Sequence, residues 1–236
     1  MNWRGQRAPF VLLVRAPPAL DCGPQLDLRE RERLSEIRHP ATARRRAFGI
    51  WLRRQVLGEV LGESPSGLRF AIGEHGRPAL IGAALDFNLS HTADHYALAV
   101  ADSPVGVDLE TCTRVRDWPA LAAQVLDAHE HRRAVQSTEP LARELIRYWT
   151  LKEAWLKGLG LGISGGLQAT GFRFGGGRVR GRRDDLPARH GWRFGQRWID
   201  PQTSLAWALA DNGRRRVALL EASVGSGPAG PRLQLP

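Results

Sequence analysis

Lysine is almost missing from this 236-residue chain: Lys152 and Lys157 are the only two, and every other cation is an arginine. An ammonium is a compact, strongly hydrated charge that arginine's flat fork does not reproduce, so two lysines within one short segment mark that segment for attention. Cysteine is nearly as scarce. Cys22 and Cys112 make no disulfide framework, which excludes a small stapled extracellular domain and sets the expectation of a reduced, cytoplasmic protein. No apolar stretch approaches the roughly 18 residues that cross a bilayer. The first apolar run, Pro9 to Val14, lies between Arg7 and Arg15; it is too brief for a leader core and reads as a first strand. A hydrophobic content of 42% at this length can bury the core of one large domain or two small ones. The formal net charge of +10 asks for an anionic partner: nucleic acid, membrane surface, phosphate-rich small molecule or acidic protein. Charge alone does not choose among them.

Leu26 to Gly62 carries a long helical signal, with Leu52, Val56, Leu57, Val60 and Leu61 at three- and four-residue spacing, and arginines crowd its early part at Arg44, Arg45, Arg46, Arg53 and Arg54. Leu68 to Ile72 is a short apolar segment before the turn Gly73 to Pro78. Phe87 to Leu89 and Tyr96 to Ala101 read as strands joined through the polar break Ser90-His91-Thr92, and Val105 to Leu109 as another. Helical patterns run from about Pro119 to Val135 and from Leu141 to Lys157, the second stopped by Gly158-Leu159-Gly160. Strands follow at Gly171 to Phe174, Gly191 to Ile199 and Leu205 to Leu209. Glycine and proline make residues 225 to 236 a disordered tail. No sequence repeat is legible, and the one break, near Ser103-Pro104, divides the chain into 1–104 and 105–236.

In Gly106-Val107-Asp108-Leu109-Glu110 an apolar strand suddenly carries two carboxylates two residues apart. Residues i and i+2 of a strand share a face, so Asp108 and Glu110 converge and repel unless a cation neutralises them; a hard divalent ion with oxygen ligands does so. The second feature is Trp149 to Lys157. Glu153 and Lys157 are four apart on a helix and share a face, with Lys152 one residue off that line. Alone this is an ordinary helical ion pair; beside Asp108 and Glu110 it suits a site where phosphate, metal and a proton acceptor meet. Ser90 and His91, adjacent in a strand-like run, point to opposite faces and do not form a nucleophilic dyad, but each can donate to a phosphate.

Taken together, Gly76-Arg77-Pro78, Phe87 to His91, Gly106 to Glu110 and Trp149 to Lys157 resemble, in order and spacing, the 4′-phosphopantetheinyl transferases of the surfactin-synthetase-activating type. The resemblance implies an α+β fold of two similar sub-domains with a pseudo-two-fold arrangement and the active site in the cleft between them, 1–104 forming the side of the coenzyme A 3′-phosphate and 105–236 the metal side. It implies transfer of the phosphopantetheine arm of coenzyme A to a serine of an acyl or peptidyl carrier protein, in fatty acid, polyketide or nonribosomal peptide synthesis, with release of 3′,5′-ADP. Asp108, Glu110 and Glu153 fall on the acids that hold magnesium, or manganese in its place, and Glu153 on the general base. Lys157 falls on a lysine that stabilises the transferred phosphate, Lys152 on a neighbour that also contacts phosphate, and Ser90 and His91 on residues at the 3′-phosphate. The helical arginine at that phosphate falls on Arg44, with Arg45 and Arg46 as alternatives. Arg77 stands where the family has lysine and keeps the charge that meets phosphate. The implied partner is an acidic carrier protein met by a monomer, with no membrane and no nucleic acid. The arginine-bearing helix and the region around Gly181-Arg182-Arg183 are the expected contact surfaces. A magnesium-dependent nuclease or basic nucleic-acid-binding module is the alternative that the charge leaves open, although the tryptophans are not interleaved with arginines as a stacking platform would be.

Overall fold

Pro40 breaks the first long helical segment in two, because proline lacks the N–H of a helix interior but suits a first helical position. The computed structural model describes residues 9–17, 20, 22, 25–92, 94–114, 117–162, 166–176, 178–181, 191–211, 215–227 and 230–234. Its first half contains β1 (Phe10–Arg15), α1 (Leu28–Ser35), α2 (Pro40–Leu61), β2 (Phe70–Ile72), β3 (Pro78–Leu80), β4 (Asp86–Thr92) and β5 (His95–Ala101). The second contains β6 (Val105–Thr111), α3 (Trp118–Val125), α4 (Ala128–Val135), α5 (Leu141–Leu159), β7 (Phe172–Gly175), β8 (Arg178–Gly181), β9 (Trp192–Trp198) and β10 (Thr203–Ala210), followed by β11 (Ala218–Gly227) and β12 (Gly230–Gln234). No helix among the described residues is long and apolar enough to cross a membrane.

The strands form two five-stranded sheets, ordered β12-β11-β1-β5-β4 and β6-β10-β9-β8-β7, plus the hairpin β2-β3. Alternation sorts the side chains into layers. Phe10, Leu12 and Val14 of β1 pack with Phe48, Trp51, Leu52 and Val56 of α2, while Val11 faces the other way, toward Ala97, Ala99, Val105, Val107, Leu109 and Leu205. The alanines of β5 let the two sheets approach closely. Leu145, Tyr148, Leu151 and Trp155 of α5 cover the outer face of the second sheet. The result is helix, sheet, sheet, helix.

The halves share one path. A first strand is followed by short helical structure and a long helix, and then by four strands, the last of which pairs antiparallel with the first: β1 with β5, β6 with β10. Both long helices stop at a left-handed glycine, Gly62 (φ 70°) and Gly160 (φ 75°), a conformation that costs glycine least. A repeat that the sequence reading did not detect also appears. Asp27 and Glu30 form a capping box at the start of α1, and Asp127 and Glu130 form one at the start of α4. In each half the glutamate then reaches the long helix: Glu30 pairs with Arg54 at 2.9 Å and Glu130 with Lys152 at 2.5 Å. The repeat is hard to see in the sequence because it consists of a capping pair and a cation on a distant helix, which only the fold brings together.

Two further expectations change. Ser90-His91-Thr92 is no break but the end of β4, whose ladder with β5 runs through Thr92 opposite His95. The tail expected to be disordered contains β12 and the end of β11, and β11 lies parallel to β1 from Phe10 opposite Ala218 to Val14 opposite Ala222. The main-chain groups of β1 supply a template that composition does not reveal. The last strands therefore return to the sheet of the first half.

The two sheets are also joined along β4 and β6, through side chains. Asp86, Asn88 and Ser90, alternate residues of β4, accept hydrogen bonds from the backbone N–H groups of Val105, Val107 and Leu109 at 2.8, 2.9 and 3.3 Å. These are the outward donors of β6, whose other edge pairs with β10. Without Asp86, Asn88 and Ser90 they would be buried and unpaired.

Candidate functional site

A cleft of about 610 Å³ lies between the halves, bordered by α1 and α2 on one side and by Glu153, Lys157, Gly160 and Gly162 on the other. Asp108 lies deep beside it, 2% exposed, with Lys157 Nζ 2.5 Å from its Oδ1. Ser90 Oγ donates to the same oxygen at 2.8 Å, and Lys157 also donates to Ser90 Oγ at 3.2 Å. The strand β6 and the helix α5 thus bring together Asp108 and Lys157, far apart in sequence, and Ser90 arrives from the other half.

Two carboxylate oxygens here have no donor among the described residues: Asp108 Oδ2 and Glu153 Oε1, both buried. Burial, reinforced by the nearby Asp108 and opposed by Lys157, raises the Glu153 carboxyl above its usual range. Burial pulls Lys157 down, but Asp108, Glu153 and Glu110 outweigh it and hold the ammonium above its ordinary value, so it stays charged. Three carboxylates around one ammonium leave negative charge to spare, and two buried oxygens without donors suit a hard cation. The acids do not close around such an ion by themselves: among the described residues, no group of three His, Cys, Asp or Glu side chains is near enough to hold one. Glu110 shares the Asp108 face of β6, one pleat nearer the strand end, and is half-buried.

The other residues singled out from sequence separate. His91 lines the cleft, its ring 5.2 Å from that of Tyr96, while Ser90 points the opposite way into the Asp108 junction. Arg45, Arg46 and Arg53 border the cleft; Arg44 does not, and instead lines a separate cavity of about 210 Å³ with Asp94 and Tyr96. Arg45 borders both cavities, and the two-residue step from Arg44 to Arg46 turns the helix far enough to exchange one for the other. Arg77 touches the cleft, but its terminal nitrogens are committed. They donate to the carbonyls of Lys157 (2.8 Å) and Val105 (2.8 Å) and to both oxygens of Asp86 (2.9 and 2.7 Å). Its charge clamps α5, β4 and β6 together, which corrects its assignment to a phosphate. Of the expected surface at Gly181-Arg182-Arg183, positions 182 and 183 lie outside the described residues.

Lys152 is also corrected. It is fully buried, donates to the Val125 carbonyl at 2.6 Å and pairs with Glu130, on a different face of α5 from Lys157. Lys152→Met is expected to destabilise the fold by about 3–5 kcal/mol, because a buried carboxylate loses its ion-pair partner. Restoring a neutral pair with Glu130→Gln should recover much of the loss, as measured by urea unfolding. Reduced cleft affinity with unchanged stability would return Lys152 to a ligand role.

Sequence reasoning missed Glu30 and Arg33, which border the cleft from α1. Glu30 pairs with Arg53 at 3.1 Å, and the Arg53 guanidinium lies over Phe70, 4.5 Å from the ring centroid. The Asp27-x-x-Glu30 spacing was the available signal, but it announces a helix start and says nothing of what that helix borders.

Comparison with known proteins gives a consistent match. The family model described as the 4′-phosphopantetheinyl transferase superfamily matches residues 104–218. The 4′-phosphopantetheinyl transferase HetI of Nostoc sp. is 31% identical over 150 residues, covering 61% of this chain and 63% of that protein. The 4′-phosphopantetheinyl transferase psf-1 of Bacillus pumilus is 30% identical over 148 residues, with 62% and 63% covered. The 4′-phosphopantetheinyl transferase AcpT of Salmonella typhi is 38% identical over 113 residues, with 45% and 56% covered. The chain therefore spans less than two thirds of the length of each of these relatives.

Proposed function

We propose that this chain, which the 4′-phosphopantetheinyl transferase superfamily model matches over residues 104–218, moves the phosphopantetheine arm of coenzyme A onto a serine of an acyl or peptidyl carrier protein, releasing 3′,5′-ADP. The observation that carries this reading is the Asp108, Glu153 and Lys157 cluster at a cleft of nucleotide-accommodating size. The chemistry needs a base for the serine hydroxyl, positive charge for the departing phosphate and a place for a divalent ion, and the cluster supplies each. Nothing in the fold or in the relatives favours a nuclease.

Glu153, lifted above the usual carboxylate range, accepts the serine proton at its donor-free Oε1. The serine oxygen then bonds to the pantetheine-side phosphorus as the bond from that phosphorus to the 3′,5′-ADP oxygen breaks, and the electron pair leaves with the nucleotide. Lys157 holds its ammonium at the leaving phosphate, an electrostatic contribution that grows as charge develops. Magnesium would be held by Asp108 Oδ2 and Glu153 Oε1, with Glu110 one pleat further along the same face of β6, and would supply further charge neutralisation at the pyrophosphate. Arg45, Arg46 and His91 receive the 3′-phosphate. Incubation with coenzyme A and an apo carrier protein in the cytoplasmic pH range should add the mass of one phosphopantetheine to the carrier. An unchanged carrier mass across a panel of carriers would overturn the reading.

Dephospho-coenzyme A, which lacks the 3′-phosphate, is expected to bind much more weakly than coenzyme A, each lost charge-assisted bond being worth about 1.5–3 kcal/mol. His91→Ala should shrink that discrimination, measured by calorimetry with both nucleotides. Equal discrimination would make His91 only a packing partner of Tyr96.

For an acidic carrier the formal charge of +10 makes encounter electrostatically steered. The screening length is about 8 Å at physiological ionic strength. The carrier KM should therefore rise steeply with salt at fixed magnesium, while the coenzyme A KM rises less. A flat carrier KM would assign the net charge to cofactor binding or to composition.

A further inference from the structure

A second cavity, of about 470 Å³, opens on the other side of α5, lined by His129 and Arg133 of α4, Glu144, Arg147 and Tyr148 of α5, and Arg173 of β7. Glu144 and Glu153 are nine residues apart, which at 100° per residue places them half a turn from each other around the helix. This cavity is thus separated from the cleft by the body of α5, and the transfer reaction makes no use of it.

Its lining is lopsided in charge: three guanidiniums face one carboxylate. That carboxylate is already engaged, with Glu144 Oε1 accepting from Ser137 Oγ at 3.0 Å and lying 3.6 Å from Arg147 Nη1. Arg133 and Arg173 have no ion pair among the described residues. Arg147 is preorganised: its guanidinium lies over the Phe174 ring, 3.4 Å from the centroid, and Tyr148 meets the same ring edge-on at 5.1 Å. Stacking fixes the plane of the guanidinium without consuming its donors, and Arg147 Nε is buried with no acceptor. Such a group costs free energy unless an acceptor arrives. His129 and Arg133, four apart, present a common face of α4, and Arg173 closes the opposite wall from β7. Burial, with Glu130 and Glu144 adding to it, pushes the Tyr148 phenol up to about 12, so its hydroxyl keeps its proton.

We propose that this cavity is a second ligand site, which takes a phosphate-bearing small molecule through Arg133, Arg147 and Arg173. Arg147 provides the oriented fork, since a guanidinium matches two oxygens of one phosphate. Arg133 and Arg173, both exposed, provide charge that a second phosphate can reach. Pyrophosphate should accordingly bind more tightly than inorganic phosphate.

The test is an amide NMR titration of the full chain with inorganic phosphate and with pyrophosphate, sodium chloride balancing the ionic strength. The expected result is saturable shifts at His129, Arg133, Arg147 and Arg173 with both anions, at lower concentration for pyrophosphate. In Arg133→Gln/Arg173→Gln the affinity read at His129 and Arg147 should fall at least tenfold. Shifts at Gly49 and His91, which report anion entry into the cleft, should stay as in the unaltered protein. Because both altered side chains are exposed, melting should be unchanged, and Arg133→Glu serves as an independent second variant. Shifts confined to Gly49 and His91, shifts at α4 that grow linearly without saturating, or the same affinity in both variants as in the unaltered chain would each overturn the proposal.

Discussion

Asp108→Ala is expected to slow phosphopantetheine transfer by about 100- to 1,000-fold, the loss typical of removing one oriented charge-stabilising group. Its Oδ1 positions both Lys157 and Ser90, and its donor-free Oδ2 is available to a cation. Calorimetry with magnesium in the presence of coenzyme A should show weakened ion binding in the same variant. Normal ion affinity with lost activity would limit Asp108 to positioning Lys157, and full activity would remove it from the site.

Glu153→Gln is expected to abolish transfer to a similar degree while making the metal-free protein more stable at neutral pH. The Glu153 carboxyl is raised in the folded state by burial and then by Asp108. The folded protein therefore holds that proton more tightly than the unfolded chain does, so stability is lost as pH rises from the ordinary carboxylate value through the raised one. Glutamine removes the cost. The stabilisation should be present above the raised value and vanish below the ordinary one, as read from urea midpoints across pH without divalent ions. A Glu153→Gln variant less stable than its parent at neutral pH would contradict this.

Gly106→Ala carries a large expected structural effect as well. A Cβ there would lie 1.9 Å from the Ala154 carbonyl oxygen and 2.4 Å from the Gly158 nitrogen, both backbone atoms of α5 that no rotamer change can move. Overpacking commonly costs about 1–3 kcal/mol and occasionally more, and a clash with rigid backbone belongs at or above the top of that range. The fold should lose about 3 kcal/mol or more, and transfer with it, because α5 carries Glu153 and Lys157 and β6 carries Asp108. A variant with unchanged melting would mean that β6 and α5 approach less closely than the structure has them.

Gly106 shows how the sequence and the fold divide the information. Strand periodicity alone placed Asp108 and Glu110 on one face, and helix periodicity placed Glu153 with Lys157, since both patterns depend only on local geometry. That Gly106 is the point where α5 crosses β6 depends on a contact between residues far apart in the chain, and no local pattern encodes it. The two lysines divide in the same way. Their close spacing drew attention to the segment, but which one faces the cleft depended on where α4 packs, because Glu130 draws Lys152 into the second core. Arg77 was legible as a cation near phosphate-binding motifs. Only the assembled edge of β4 and β6, with the end of α5 beside it, showed that protein carbonyls and Asp86 already use its donors. The final strands were the least legible of all. Glycine and proline lower the intrinsic preference of residues 225 to 236 for any structure, yet pairing is decided by the partner edge, and β1 presents an open one to β11. The chain by itself therefore determined the chemical types at the site and the faces they share, because those follow from local periodicity. The tertiary structure decided which charges remain free for a ligand, because each candidate's partner lies far away in sequence and the free energy of a buried charge is set by that partner.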